Sequence, residues 1–374
     1  MIPVFRPSMG QEEVKAVARV LKSGWIGLGP KTAEFEKEFA KYIGVKYALA
    51  VNSGTAALHL ALKVLGVEKK EVITTPMSFV STNLAILYNQ GISVFADIER
   101  DTLNINPEEI QKQISPMSKV IMVVHYGGHA CQMDEILKLA KKRNLFVIED
   151  AAHACGGEYK NRKLGSLGDL SCFSFHAVKN LATGDGGMIT TNKKDFYERL
   201  KKLRWLGISK DTWSREDKER AGRLKRYTWY YNVEEVGYKC HFNDILAAIG
   251  LVQLKKLDKT NKRRQQICQI YNQAFKDINW LERPVEKEYA KSSRHNYVIK
   301  APCRDKLNTY LMKKGISTGV HYIPNNHYQM FKNCRGKTPI ADEVWTKVLT
   351  LPLYPDMKNR EIEKVIGAIR AFSP

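Results

Sequence analysis

The chain has 374 residues, 44% of them hydrophobic and 26% charged, with 60 Lys and Arg against 39 Asp and Glu and a net charge of +21. Such a composition suits a soluble globular protein with room for one large domain and a smaller one, and it excludes a disordered or low-complexity chain. The basic residues are spread along helical patterns such as "NKKDFYERLKKLR" and "KKLDKTNKRR", so the preferred reading is a positive field that draws in a small anionic substrate, with no nucleic-acid partner. Seven cysteines, scattered and never spaced C-x-x-C, argue against a disulfide framework or a metal site and for a reducing cytoplasm. No apolar run approaches the ~18 residues of a membrane span. The opening "MIPVFRPSMGQEEV" has no signal-peptide pattern, so a cytoplasmic protein without membrane insertion is expected.

From residue 46 to 150 short β-rich runs alternate with helical patterns. The strands "KYALAVN", "EVITTP", "SVFADI", "KVIMVVHY" and "LFVIED" are separated by the helices "GTAALHLALKVLG", "VSTNLAILYNQG", "PEEIQKQI" and "MDEILKLAKKRN". This alternation predicts an α/β fold of three layers, αβα, with a mostly parallel sheet. The strands are nearly continuous apolar runs, as when helices cover both faces. Ligands in such sheets bind outside the carboxyl ends of the strands, which places "NSGT", "TPMSF", "HYGG" and "EDAAH" along one rim. Residues 211–231 have no clean period and read as a charged, aromatic-tipped loop or lid. A helical pattern from Asn243 to Ile278 follows, long enough to bridge two domains and with room for one break. The rest is α+β: strand "HNYVIKA", helix "RDKLNTYLMKKG", strand "ISTGVHY" and a closing helix "NREIEKVIGAIRAF". The domains are therefore drawn as 1–242, the large one, and 243–374, a smaller α+β one that includes the bridging helix.

Chemistry enters at three places. Ser53, Gly54 and Thr55 open a helix after a strand, which is either a plain N-cap or a phosphate cradle of free N–H groups and hydroxyls. Glu149 and Asp150 end a buried strand, and a carboxylate there needs a cationic partner, be it a structural ion pair or a protonated pyridine nitrogen. Lys179 sits between the apolar runs "CFSFHAV" and "MITTN", either in solvent on a loop or turned inward. A phosphate cradle, a buried carboxylate and an inward lysine together are the binding kit of pyridoxal phosphate.

The chain resembles the sugar-aminotransferase family named DegT/DnrJ/EryC1/StrS, fold-type I pyridoxal-phosphate enzymes. The likeness runs almost end to end through "SGWIGLGPKTAEFEKEFAKYIG", "AVNSGTAALHLAL", "TTPMSFVSTNLAI", "VIEDAAHACGGEYKNRKLGSLGDLSCFSFHAVKNLATGDGGMI" and "GISTGVHYIP". It implies Lys179 as the Schiff-base lysine and proton carrier, and Asp150 as partner of the pyridine nitrogen. It further implies His153 at the phenolic oxygen, Phe79 stacked on the ring, and Gly54, Thr55 and Ser174 at the phosphate. Trp25, His321 and Tyr322 become substrate contacts. Pyridoxal 5'-phosphate is then the cofactor, with pyridoxamine phosphate as its intermediate form. The expected reaction moves an amino group from L-glutamate to a nucleotide-linked ketosugar, with a 4-keto-6-deoxyhexose favoured, in a homodimer with shared active sites. Two segments depart from the family pattern. Lys239 stands where Asn is common and His241 where Arg is, and Lys239 is expected to reach the partner's cofactor phosphate. The family's "HYxPLH" is "HYIPNNH" here, so either Asn326 replaces the histidine or His327 shifts by one. The rival readings are the family's dehydratase branch, where a histidine replaces the lysine, and a DNA-binding regulator.

Overall fold

In the computed structural model residues 1–208 and 231–374 are described; the segment read as a lid, 211–231, lies outside them except for Tyr231. Two amphipathic helices come first, α1 (Gln11–Ser23) and α2 (Pro30–Ile43). The alternating stretch then folds as its pattern requires: β1 (Tyr47–Val51), α3 (Gly54–Leu65), β2 (Glu71–Thr74), α4 (Ser81–Tyr88), β3 (Ile92–Phe95), α5 (Pro107–Gln113), β4 (Ser118–Val124), α6 (Met133–Arg143) and β5 (Phe146–Asp150). The two-residue strands β6 (Glu158–Tyr159) and β7 (Arg162–Lys163) follow, then β8 (Leu170–Ser174), β9 (Gly187–Thr191) and α7 (Lys194–Arg204).

Among the described residues the main sheet has seven strands in the order β1-β9-β8-β5-β4-β2-β3. Only β9 runs against the others. Strand residues alternate between two cores. Ile121 and Val123 face a cluster with Phe35, Phe39 and Phe173, while Val120 and Met122 face one with Leu58, Leu62 and Leu200. That is the three-layer α/β arrangement expected of a parallel sheet buried on both faces. Carboxyl ends of β1, β2, β5 and β8 therefore share one rim.

The long helical pattern forms one continuous helix, α8 (Asp244–Ala274), of 31 residues with no break. Nothing in its sequence forces one: it holds no proline, and its lone Gly250 lies against the Phe35 ring, where a Cβ would stand 2.7 Å from Cζ. Asn243 caps it by accepting from the Leu246 N–H at 3.0 Å. Asp244 also serves a neighbouring helix, because its carboxylate accepts from the Lys31 and Thr32 N–H groups and the Thr32 hydroxyl at 2.7–3.0 Å. This caps α2, whose own N-cap residue, Gly29, has no side chain, and places a negative charge at the positive end of that helix.

The remainder comprises β10 (Ala290–Lys291), which pairs with β6, then β11 (Tyr297–Lys300), α9 (Arg304–Lys313), α10 (Pro339–Val344), β12 (Val348–Leu351) and α11 (Asn359–Arg370). Strands β11 and β12 pair antiparallel. The far half of α8 contributes Ile267, Cys268 and Tyr271 to their apolar cluster. The domain division drawn after residue 242 falls at the cap of α8, while Ile2, from the other end of the chain, is buried in this smaller cluster. The expected strand "ISTGVHY" does not form. Its ladder changes partner after one residue, from Ile2 at Ile316 to Thr350 at Gly319, and the chain beyond turns into the rim. No described helix is long and apolar enough to cross a membrane.

Candidate active site

A cleft of about 570 Å³ opens at the rim, between the strand ends and the loop 320–328 of the smaller part. Lys179 lines it, presented by the β8–β9 connection. That loop is pinned at its base by Phe175, fully buried, whose N–H donates to the Gly186 carbonyl at 2.8 Å and whose carbonyl accepts from Thr183 N–H at 2.9 Å. It is pinned again by Asn180, whose amide donates to Asn261 Oδ1 and the Ser293 carbonyl, both at 2.8 Å. The lysine next to this anchor has no freedom to swing out with its backbone, so the inward alternative holds. Burial lowers its amine to about 8, against an opposing pull from the Asp150 carboxylate.

Asp150, the last residue of β5, is buried at the cleft floor. It accepts from Thr82 Oγ1 at 2.8 Å and from the Ala152 N–H at 3.1 Å. Burial raises its carboxyl above the ordinary range, although Thr82, Ala152 and Lys179 all oppose the rise. Desolvation thus outweighs the attraction between the two groups, and each is held ready for a stronger partner. Its neighbour Glu149 is a different case. Fully buried, it accepts from the N–H groups of Gly165, Leu167 and Gly168, the Ser171 hydroxyl and His125 Nε2, all within 3.0 Å. With the Cys131 N–H donating to His125 Nδ1 at 3.2 Å, the His125 proton sits on Nε2. Glu149 is fully satisfied, its pKa lowered, and it organises the loop before β8 rather than the cleft.

At the opposite wall α3 begins. Ser53 Oγ accepts from the Ala56 N–H at 3.0 Å, and among the described residues the Gly54 and Thr55 N–H groups have no partner. A Cβ on Gly54 would stand 2.8 Å from that of Ser174, so glycine lets the helix start abut the end of β8 and brings the Ser174 hydroxyl beside the free N–H groups. His153 Nε2 meets the Tyr322 hydroxyl at 3.0 Å. Among the described residues its Nδ1 is buried without a partner, as is Ser78 Oγ, and burial pulls its imidazole well below the usual histidine range. His153 also stacks on His295, with centroids 4.3 Å apart. Phe79 stands at the mouth, 57% exposed, with its ring 6.1 Å from that of Tyr322. His321 lines the cleft too; burial, then Lys179, lowers it to about 4.

These residues fit pyridoxal phosphate. Unfilled N–H groups at a helix start suit its dianion, Asp150 its pyridine nitrogen and Lys179 its aldehyde carbon. The His153 Nδ1, without a partner among the described residues, would be available to the remaining oxygen.

Other expected residues lie elsewhere. Trp25 is 43% exposed, outside the cleft, with Nε1 donating to the Leu28 carbonyl at 3.1 Å. Lys239 is exposed, its Nζ 5.4 Å from the Trp205 ring, and His241 packs edge-on against that ring. Asn326 Nδ2 and His327 Nε2 both meet Asp342 Oδ1, at 3.1 and 2.7 Å, so neither points into the cleft, and Tyr328 lines it instead. Thr82, Asn180 and His295 escaped the sequence reading. Of these only Thr82 carried a signal, a hydroxyl at the start of a helix facing the rim.

Residues 7–370 match the DegT/DnrJ/EryC1/StrS aminotransferase family. The spore coat polysaccharide biosynthesis protein SpsC of Bacillus subtilis is 42% identical over 99% of this chain and 96% of its own. The aminotransferase TlmJ from Streptoalloteichus hindustanus superposes with a TM-score of 0.92 at 32% identity, over 99% of this chain and 98% of that one. Spr1654 from Streptococcus pneumoniae, solved in its PMP form, superposes with a TM-score of 0.91 at 30% identity over 98% of each chain. The cleft and these likenesses agree: the chain belongs to the DegT/DnrJ/EryC1/StrS aminotransferase family, pyridoxal-phosphate-dependent enzymes of fold type I.

Proposed function

We propose that this enzyme moves an amino group from L-glutamate to the keto carbon of a nucleotide-linked sugar, a 4-keto-6-deoxyhexose before others, toward an amino sugar of a surface polysaccharide or glycoconjugate. The observation that carries the reading is the meeting of Lys179, the buried Asp150 carboxylate and the start of α3 in one cleft. The bound cofactor supplies an electron sink that makes a carbon–hydrogen bond next to nitrogen acidic. The chain's own groups do the rest. Near neutral pH Lys179 exchanges a proton readily, because its pKa lies close to the working range. Asp150 holds positive charge at the cleft floor, and the start of α3 with Ser174 holds negative charge at the wall. The net charge of +21 favours capture of an anionic nucleotide sugar, and the SpsC name supports the polysaccharide setting.

The test is spectral. The purified holoenzyme should be yellow, bleach with L-glutamate, and regain its colour with a nucleotide-linked 4-ketosugar. No bleaching by glutamate, or no recovery with any member of a panel of 3- and 4-ketosugars, would refute the corresponding half of the reaction.

The exposure of Trp25 and Lys239 beyond the cleft supports a homodimer in which each serves its partner's site. For Lys239 a charge-assisted bond to phosphate is the gain. Lys239→Ala alone should then retain cofactor poorly. Mixing it with Lys179→Ala subunits should restore activity, because each mixed dimer has one site with both lysines. No restoration despite confirmed subunit exchange would show that Lys239 does not act across subunits.

A further inference from the structure

The loop that carries Phe79 is hydrogen-bonded to the smaller part of the molecule, among the described residues, through Asn325. Asn325, in the departed motif "HYIPNNH", is fully buried. Its Nδ2 donates to the carbonyls of Pro76 and Ser78, at 3.1 and 2.8 Å, and its backbone N–H donates to Pro76 as well, at 2.9 Å. Its Oδ1 accepts from Asn83 Nδ2 at 3.0 Å, and that amide also donates to the Thr75 carbonyl at 3.1 Å. Every hydrogen-bonding position of the two amide nitrogens is directed at residues 75–78 or at the other carboxamide. The Ser78 carbonyl belongs to the same peptide plane as the Phe79 N–H. A donor fixed on that oxygen therefore fixes the plane from which the aromatic side chain departs. The following residue, Asn326, turns away to Asp342. Asparagine at 325 thus replaces the apolar leucine of the family's "HYxPLH" with a two-pronged donor.

We infer that Asn325 is a positioning residue, which clamps the 75–78 loop and so sets Phe79 over the cofactor site. The inference rests on the reading of Phe79 as the aromatic that lies against the cofactor. Phe79 is more than half exposed and packs little of its own surface, so its orientation must come from its backbone. A fully satisfied buried carboxamide is the means by which a loop adopts one conformation.

The experiment compares Asn325→Leu, Phe79→Ala and the double variant, all as full-length protein titrated with pyridoxal phosphate. Dissociation constants, the visible circular dichroism of the bound cofactor and melting temperatures are read for each. Both single variants should bind the cofactor on the order of tenfold more weakly, the scale of a lost buried hydrogen-bond pair. The dichroism should fall in both. The double variant should bind no more weakly than Phe79→Ala alone, while its melting temperature drops by the sum of the single effects. Should Asn325→Leu not fold, Asn325→Asp is read the same way. It keeps shape and the acceptor for Asn83 but removes both donors. Normal cofactor affinity and dichroism in the position-325 variant, or losses that multiply in the double variant, would overturn the clamp. Normal affinity in Phe79→Ala would overturn the stacking reading and the clamp with it.

Discussion

Lys179→Ala is expected to fold, to bind pyridoxal phosphate without a covalent bond, and to show no multiple turnover. Lys179 is the one amine among the described residues lining the cleft, so no neighbour can take over its attachment or its proton. Loss of a positioned proton carrier alone lowers rates by roughly 10²–10⁴-fold. Loss of attachment adds to that, and turnover with glutamate and a ketosugar should fall to background. A small primary amine in the buffer should recover a fraction of the proton transfer, increasing with the amine's basicity. The cofactor-free variant has a second signature. In the folded protein the Lys179 pKa is depressed to about 8. Below that pH the native state carries a charge it disfavours, and between 8 and the unfolded value stability rises with pH as the unfolded chain binds the extra proton. Removing the side chain should raise the apo melting temperature at pH 7 and flatten its rise through alkaline pH. Retained multiple turnover in a purified alanine variant would end the assignment.

Asp150→Asn should keep the fold and the cleft but slow catalysis by on the order of 10²–10³-fold, about 2.7–4 kcal/mol, the cost of removing one preorganised electrostatic partner. The carboxamide still offers an oxygen to Thr82 or to the Ala152 N–H, the two donors now on the carboxylate, so a melting curve close to the parent's is expected. Lost is the negative charge at the cleft floor. That charge is also what opposes the depression of Lys179. In the variant the lysine amine should therefore titrate below the parent's value of about 8, a shift that direct titration of the cofactor-free protein would reveal. Near-normal turnover with bound cofactor, or an unmoved lysine, would refute the role.

The sheet and its rim were legible because periodicity reports burial, and strands such as "KVIMVVHY" are buried on both faces. Lys179, Asp150 and the start of α3 were legible because each breaks a rule: a charge inside an apolar context, or unpaired donors beside glycine. What escaped has no such local contrast. Strands β6 and β7 are two residues each and too short to show a period. "ISTGVHY" has the composition of a strand, but its partners lie at opposite ends of the chain. Glu149 and Asp150 are adjacent carboxylates on one strand, yet one anchors a loop and the other faces the cleft. Because strand side chains alternate faces, their roles had to differ, but which had which depended on His125 and residues 165–171. The double asparagine at 325 and 326 was visible, and only the structure shows that one points inward and its neighbour to Asp342.

Helix α8 has a mechanical consequence. Thirty-one residues make a rod about 46 Å long, embedded at one end among α1 and α2 and at the other in the β11–β12 core. Folding the β11–β12 core toward the main sheet would have to bend that rod between its two embedded ends and break hydrogen bonds in its interior. Such a scaffold resists jaw-like closure, and the segments 75–80 and 320–328 at the entrance are held to each other by Asn325. The acceptor is then sorted at a doorway of nearly constant width, so exchanging one residue on its frame should alter which sugars pass more than how fast the chemistry behind it runs.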